Sequence, residues 1–286
     1  MFPRIKTISL LFIILIVSSA CNSAKSDVFI TGSGTIEATF SPQPTFTHVP
    51  TITTTPAIEA PSLQQHVCSP LEGEKISELA EITTQLFKMP RAGQDDGHHG
   101  VDFAFYRRKD LLSIDGIQVL SALDGEVVTI INDKYPYGNA VIIETPLDSL
   151  SPNFLDQINF PALQPTVIPD PKFSWVPEEL PFLLSVTDRS LYIYYAHLKY
   201  PSILEVGDKV ACGQQIGFVG NTGDSSNPHL HFETRVGPSG ARFESMAYYT
   251  AQSTQSERYN YIVWRIRNLF QLFDPMKLLS VTEEKG

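Results

Sequence analysis

Basic residues are scarce in this chain: 21 lysines and arginines stand against 31 aspartates and glutamates, for a net charge of −10. No basic stripe offsets that balance, so a polyanion would be repelled and nucleic acid is excluded as a partner. Long apolar runs are lacking too. The one near the N-terminus covers residues 8–17, short of the ~20 residues that a spanning helix needs. No internal repeat is present, and no pair of acidic residues stands out as general acid and nucleophile, which argues against glycoside cleavage. Helical periodicity is sparse between residue 90 and the C-terminal portion. Cysteine is limited to Cys21, Cys68 and Cys212.

What the N-terminus does carry is organised. Arg4 and Lys6 precede the apolar run, and Ser18, Ser19 and Ala20 follow it. That is the layout of an export signal, so residues 1–20 read as a signal peptide. Cys21 directly after the small residues resembles a bacterial lipobox, in which the thiol is lipidated; Ser18 departs from the usual aliphatic residue. From residue 21 to 65 the chain is rich in Ser, Thr, Pro and Gly. Such a segment buries too little apolar area to offset chain entropy, so it reads as a tether, extended in part by its prolines. His48 and His66 lie in or beside it and receive no role. The expected product is exported and extracytoplasmic, held at a membrane surface by a lipid on Cys21. With Cys21 so used, Cys68 and Cys212 remain as a pair able to form a disulfide in an oxidising compartment.

The folded part starts near residue 66. Ile76, Leu79, Ile82, Leu86 and Phe87 recur at helical spacing and predict one amphipathic helix over 72–89, ended by Pro90. This forms a lead-in over 66–93. Short β-prone runs separated by Gly, Asn and Asp turns follow at 101–106, 117–122, 126–132, 140–145, 191–197, 209–210, 216–219 and 229–235. They predict a mainly β domain over 94–280, an antiparallel sandwich or partly open barrel. The pattern breaks over 146–189, a Pro- and Phe-rich insertion. It is either an excursion packed on the flank or a wall of a substrate groove. Residues 258–273 fit either a strand followed by a helix or one helix.

Three motifs carry chemistry. His229-Leu230-His231 lies in a β-prone run, where a period of two puts both imidazoles on one face. His98 and Asp102 enter an earlier strand four residues apart and can offer one nitrogen and one oxygen to a metal. His197 ends an aromatic strand, Tyr194-Tyr195-Ala196-His197-Leu198. His99 is a rival ligand to His98. Glu233 is either a carboxylate that orients an imidazole or an exposed strand residue.

In order and spacing, His98-x-x-x-Asp102, Tyr195-Ala196-His197-Leu198 and His229-Leu230-His231 resemble the lysostaphin/LytM-type zinc endopeptidases, which cut peptide bonds in peptidoglycan. The glycine-rich approach 206–223 and the turns at 124–127 and 137–139 are similar as well. The resemblance covers roughly residues 94–279. It implies one Zn²⁺ per chain held by His98, Asp102 and His231, an open catalytic site rather than a closed structural one. It implies that His197 and His229 act beside the metal on the water and the oxyanion, in an order left open. The implied activity is endopeptidase cleavage of peptidoglycan cross-bridges or stem peptides. The alternative is a non-catalytic wall-binding or regulatory module that keeps the fold.

Overall fold

The computed structural model describes residues 66–162, 167, 170–173 and 185–281. The expected signal peptide 1–20, Cys21, the tether to residue 65 and the remaining parts of the insertion lie outside the described residues.

The predicted lead-in helix is shorter than its periodicity implied. It is a 3₁₀ helix, Ile76–Ile82, that buries Leu79 and Ile82. Thr83 closes it by donating Oγ1 to the Leu79 carbonyl, and the chain becomes an edge strand, β1 (Thr83–Gln85). The two β-branched threonines suit a strand, and pairing with β2 (Gly100–Phe103) satisfies backbone groups that a longer helix would have paired internally. Tertiary pairing therefore overrides the local pattern.

Eight further strands follow: β3 (Gln118–Leu120), β4 (Gly125–Lys134), β5 (Gly138–Pro146), β6 (Ser185–Leu198), β7 (Lys209–Val210), β8 (Gln215–Phe218), β9 (Leu230–Ser239) and β10 (Gln271–Phe273). The helices are α1 (Pro152–Ile158), α2 (Gln255–Arg265) and α3 (Pro275–Leu279). The main sheet runs β1-β2-β9-β6-β5-β4-β7, and β10 also pairs with β9. Every pairing is antiparallel. Among the described residues β1 and β7 end the sheet without meeting, so it is not a closed barrel, and β3 and β8 form a separate two-stranded sheet. The fold is thus mainly antiparallel β with few helices.

Period two sorts the side chains of the central strands into two layers. Val101, Phe103, Ile193, Tyr195, Leu230 and Phe232 join one apolar cluster, which also holds Val119 and Ile216 from the small sheet. Tyr192, Tyr194 and Ala196 point the other way, into a second cluster closed by Trp264 and Phe270. Residues 258–273 hold the end of a helix followed by a strand, which is neither the strand-then-helix order nor the single helix expected. Thr254 and Glu257 form a reciprocal capping box that starts α2. β10 then pairs with Thr234–Val236 of β9, past the end of β2. That vacant length of strand edge exists only in the assembled sheet.

Of the insertion, the described aromatic residues pack on the domain, and no described residue of it lines the cleft. Phe154 and Ile158 of α1 are buried in the first cluster, Phe160 meets Phe273 edge-on, and Phe173 packs on Tyr248. Cys68 and Cys212 are bridged by a disulfide across 144 residues, with Cα atoms 5.6 Å apart.

Candidate metal centre

β2 and β9 pair with Asp102 directly opposite His231. Both side chains therefore rise from the same sheet face. His98 reaches this face from the preceding turn, where it exchanges two backbone hydrogen bonds with Lys88. The result is a compact donor set: His98 Nε2 is 3.1 Å and His231 Nδ1 is 2.9 Å from Asp102 Oδ1. One ligand atom from each residue lies within 4.8 Å of the other two.

The close approach of the strands depends on Gly100. It sits opposite Glu233, and a Cβ there would overlap the Phe232 carbonyl and come within 3.0 Å of His231 Cε1.

His197 reaches the site by a different route. Simple alternation after Tyr195 and Ala196 would send it to the face away from His231. Between the pairs Asn139↔Leu198 and Val141↔Tyr195, β6 holds two residues where β5 holds one. This is a β-bulge, a device that re-aims a side chain. His197 is the extra residue, at φ 62°, a left-handed conformation that costs a non-glycine residue about 1–3 kcal/mol. Its N–H donates to the Tyr137 carbonyl at 3.1 Å, and its Nδ1 donates to the Thr222 carbonyl at 2.8 Å. Its ring centroid lies 4.6 Å from that of His229 and 5.9 Å from that of His231.

His229 sits just before β9, bridged to Gly220. Its Nδ1 is 2.8 Å from the Asn227 carbonyl and donates to it. Its Nε2 is left 3.8 Å from Asp102 Oδ2. All five expected residues thus converge: His229 turns Nε2 towards Asp102, and the His197 ring lies beside those of His229 and His231. All five line one cleft of about 550 Å³, whose walls include Gln85, Tyr135, Asp224, Asn227 and Tyr249.

His99, the rival ligand, is turned away. It is buried, takes a hydrogen bond on Nδ1 from Arg235 at 2.7 Å, and gives one from Nε2 to the Asp96 carbonyl at 3.2 Å. Burial, with Arg265 and Arg235 nearby, holds its pKa well below the ordinary histidine value.

Glu233, left out of the expected site, is fully buried beneath it. Its Oε2 is 3.4 Å from His231 Nε2. Its Oε1 accepts from Arg235 Nε and, at 3.0 Å, from Trp264 Nε1. Period two continued through His229, His231, Glu233 and Arg235 was the available signal for this layer. Asp95, Tyr261 and Arg265 were also missed; Arg265 Nε donates to Asp95 Oδ1 at 2.7 Å in the cleft wall.

The charges follow from these contacts. Burial alone would raise the Asp102 carboxyl, but hydrogen bonds from His231 and His98 hold it well below the carboxylate range. Burial would lower His231, yet Asp102 and Glu233 outweigh it and lift the imidazole to about 9. Burial, with His231 and His229 beside it, pushes His197 down to about 3, so it is neutral at pH 7.

Two imidazoles and an ionised carboxylate suit a borderline cation such as zinc. The outer nitrogens fit that use. His98 Nδ1 donates to the Leu86 carbonyl at 3.0 Å, and His231 Nε2 faces Glu233, so each ring turns its other nitrogen inward.

Residues 182–243 match the family model of Peptidase family M23, a span that includes His197, His229 and His231. Over 64 residues the chain is 42% identical to the DD-carboxypeptidase/endopeptidase Mpg of Neisseria meningitidis serogroup B (strain ATCC BAA-335 / MC58). It is 39% identical over the same length to the protein of that name from Neisseria gonorrhoeae. The aligned stretch is 22% of this chain and 14% of each relative. Among solved structures, a zinc-containing peptidase from Vibrio cholerae is 21% identical, with a TM-score of 0.33 over 60% of this chain and 36% of that one. The catalytic domain of lysostaphin from Staphylococcus simulans is 21% identical, with a TM-score of 0.32 over 58% of this chain and 88% of that one.

Proposed function

We propose that this chain is a zinc-dependent endopeptidase that hydrolyses peptide bonds in peptidoglycan cross-bridges or stem peptides. The observation that carries the reading is the convergence of His98 Nε2, Asp102 Oδ1 and His231 Nδ1 in a cleft that His197 and His229 also line. When bound, zinc supplies a Lewis acid for the scissile carbonyl and brings the pKa of a water towards ~7.

The chain's own residues do the rest. With Nδ1–H fixed on Thr222, neutral His197 offers the lone pair of Nε2 to a proton. His229, fixed through Nδ1 by Asn227, offers Nε2 to the same space. One of them takes the proton of the attacking water on Nε2, and a ring that carries a proton on Nε2 as well as Nδ1, as imidazolium, donates to the oxyanion. These roles are worth about 10²–10⁴ and 10²–10³ in rate. A cell-wall peptide as substrate is supported by the M23 match and by relatives named for carboxypeptidase and endopeptidase activity.

In the same proposal the chain acts outside the cytoplasm, anchored by a lipid on Cys21; the Cys68–Cys212 bridge supports an oxidising compartment. Cys21→Ala should then lose the lipid mass and leave the membrane fraction.

The test of activity is digestion of defined muropeptides by the zinc-loaded full chain, reading new amino termini and product masses. The non-catalytic wall-binding reading replaces this one if nothing is hydrolysed at full zinc loading and His229→Ala leaves the cellular role intact.

A further inference from the structure

A run of buried polar groups leads from the back of His231 to the loop that carries His98. Glu233 faces His231 Nε2 at 3.4 Å through Oε2. Its other oxygen is held by two donors, Arg235 Nε and Trp264 Nε1. Arg235 is itself committed through all three nitrogens: besides Nε, Nη1 donates to the carbonyls of Trp264 and Phe270 at 2.6 and 2.9 Å, and Nη2 donates to His99 Nδ1 at 2.7 Å. His99 ends the run on the Asp96 carbonyl at 3.2 Å. Glu233, Arg235 and His99 are all buried, in a layer where an unsatisfied polar group is costly. The run therefore has one arrangement, and its direction is legible. The donors named each point towards an acceptor, and the free oxygen of Glu233 is left to accept from His231.

We infer that Glu233 is a positioning residue that keeps the proton of His231 on Nε2, so that Nδ1 faces His98 and Asp102 as a metal ligand, and that Arg235 and His99 hold Glu233 to this orientation. The inference rests on the zinc reading above. It also gives His99 a task. The residue beside His98 does not compete for the metal; it ties the His98 loop to the underside of β9.

The substitution Glu233→Gln separates orientation from mere bulk, because the amide matches the carboxylate in shape. Arg235 and Trp264 are donors, so the glutamine oxygen must turn to them. Its NH₂ then faces His231 Nε2, donor against donor, and drives the imidazole proton to Nδ1, the nitrogen needed inside. The zinc affinity of the full chain, measured by chelator competition, should fall about 10- to 100-fold. Glu126→Gln, which removes a carboxylate paired with Lys209 and Arg242, should leave it unchanged. An independent readout needs no variant. In the zinc-loaded wild-type chain, nitrogen-15 NMR of labelled histidine should show the His231 proton on Nε2, protected from exchange. Equal zinc affinity in a folded Glu233→Gln protein, or a wild-type His231 protonated on Nδ1, overturns the inference. If Glu233→Gln does not fold, the wild-type spectrum decides alone. Failure of the functional reading is distinct: it is a wild-type chain that takes up no zinc, or one that binds zinc and hydrolyses nothing.

Discussion

His231→Ala and His229→Ala should fail in different ways although the two residues are neighbours in sequence and share a sheet face. His231 Nδ1 lies 2.9 Å from Asp102 Oδ1, inside the donor set, whereas His229 Nε2 stands 3.8 Å from the other oxygen. Apparent zinc binding energies of about 10–16 kcal/mol for four-ligand sites correspond to roughly 2.5–4 kcal/mol per ligand. Removing His231 should therefore weaken zinc by roughly 10²–10³-fold, at about 1.4 kcal/mol per decade. Removing His229 takes no donor from the set, so affinity should stay within about threefold while turnover drops by about 10²–10⁴. The assay is twofold: zinc titration against a chromogenic chelator, and muropeptide release at saturating zinc. Thermal shift gives a check without substrate, since ligand at 1,000 times its Kd stabilises the folded state by about 4.1 kcal/mol. At a zinc concentration that is saturating for wild type, His229→Ala should keep most of that shift and His231→Ala should lose most of it. Equal zinc loss in the two variants would refute the division of labour.

Gly100→Ala should behave as a metal-site variant although it bears no ligand. Its Cβ would press on the Phe232 carbonyl and His231 Cε1, separating β2 from β9 at about 1–3 kcal/mol, read as a lower Tm together with weaker zinc binding. Asp95→Asn should destabilise by about 3 kcal/mol near pH 7, because it leaves the Arg265 guanidinium without its buried carboxylate. Burial would raise the Asp95 carboxyl, but Arg265 and hydrogen bonds from Tyr249 and Tyr261 lower it. A depressed pKa stabilises the fold above the unfolded value near 3.9, and that contribution is lost as pH falls through the folded one. The gap between wild type and Asp95→Asn in urea unfolding should therefore narrow below about pH 4; a gap that widens there would contradict the pairing. Cys212→Ser, or reduction, should lower stability by about 2–5 kcal/mol through release of the 144-residue loop, with no change in zinc stoichiometry.

The residues that meet in the cleft were legible in the chain because their motifs are local. His98 and Asp102 are four apart, His229 and His231 are two apart, and a period of two places the second pair on one face whatever the rest of the sheet does. The antiparallel β class was legible for the same reason, from short runs between turn residues. Three features depended on tertiary structure. The 72–89 periodicity became a 3₁₀ turn and an edge strand because β2 offered unpaired backbone groups, and a free strand edge is invisible in a hydropathy pattern. The order of α2 and β10 turned on the same kind of vacancy, beside β9. His197 was placed by a one-residue bulge, without which alternation would have sent it to the wrong layer. Glu233 shows the boundary most plainly. Alternation puts it beneath His231, but whether it is an exposed carboxylate or a buried partner turns on Trp264, 31 residues away on a helix that only the folded chain brings over it.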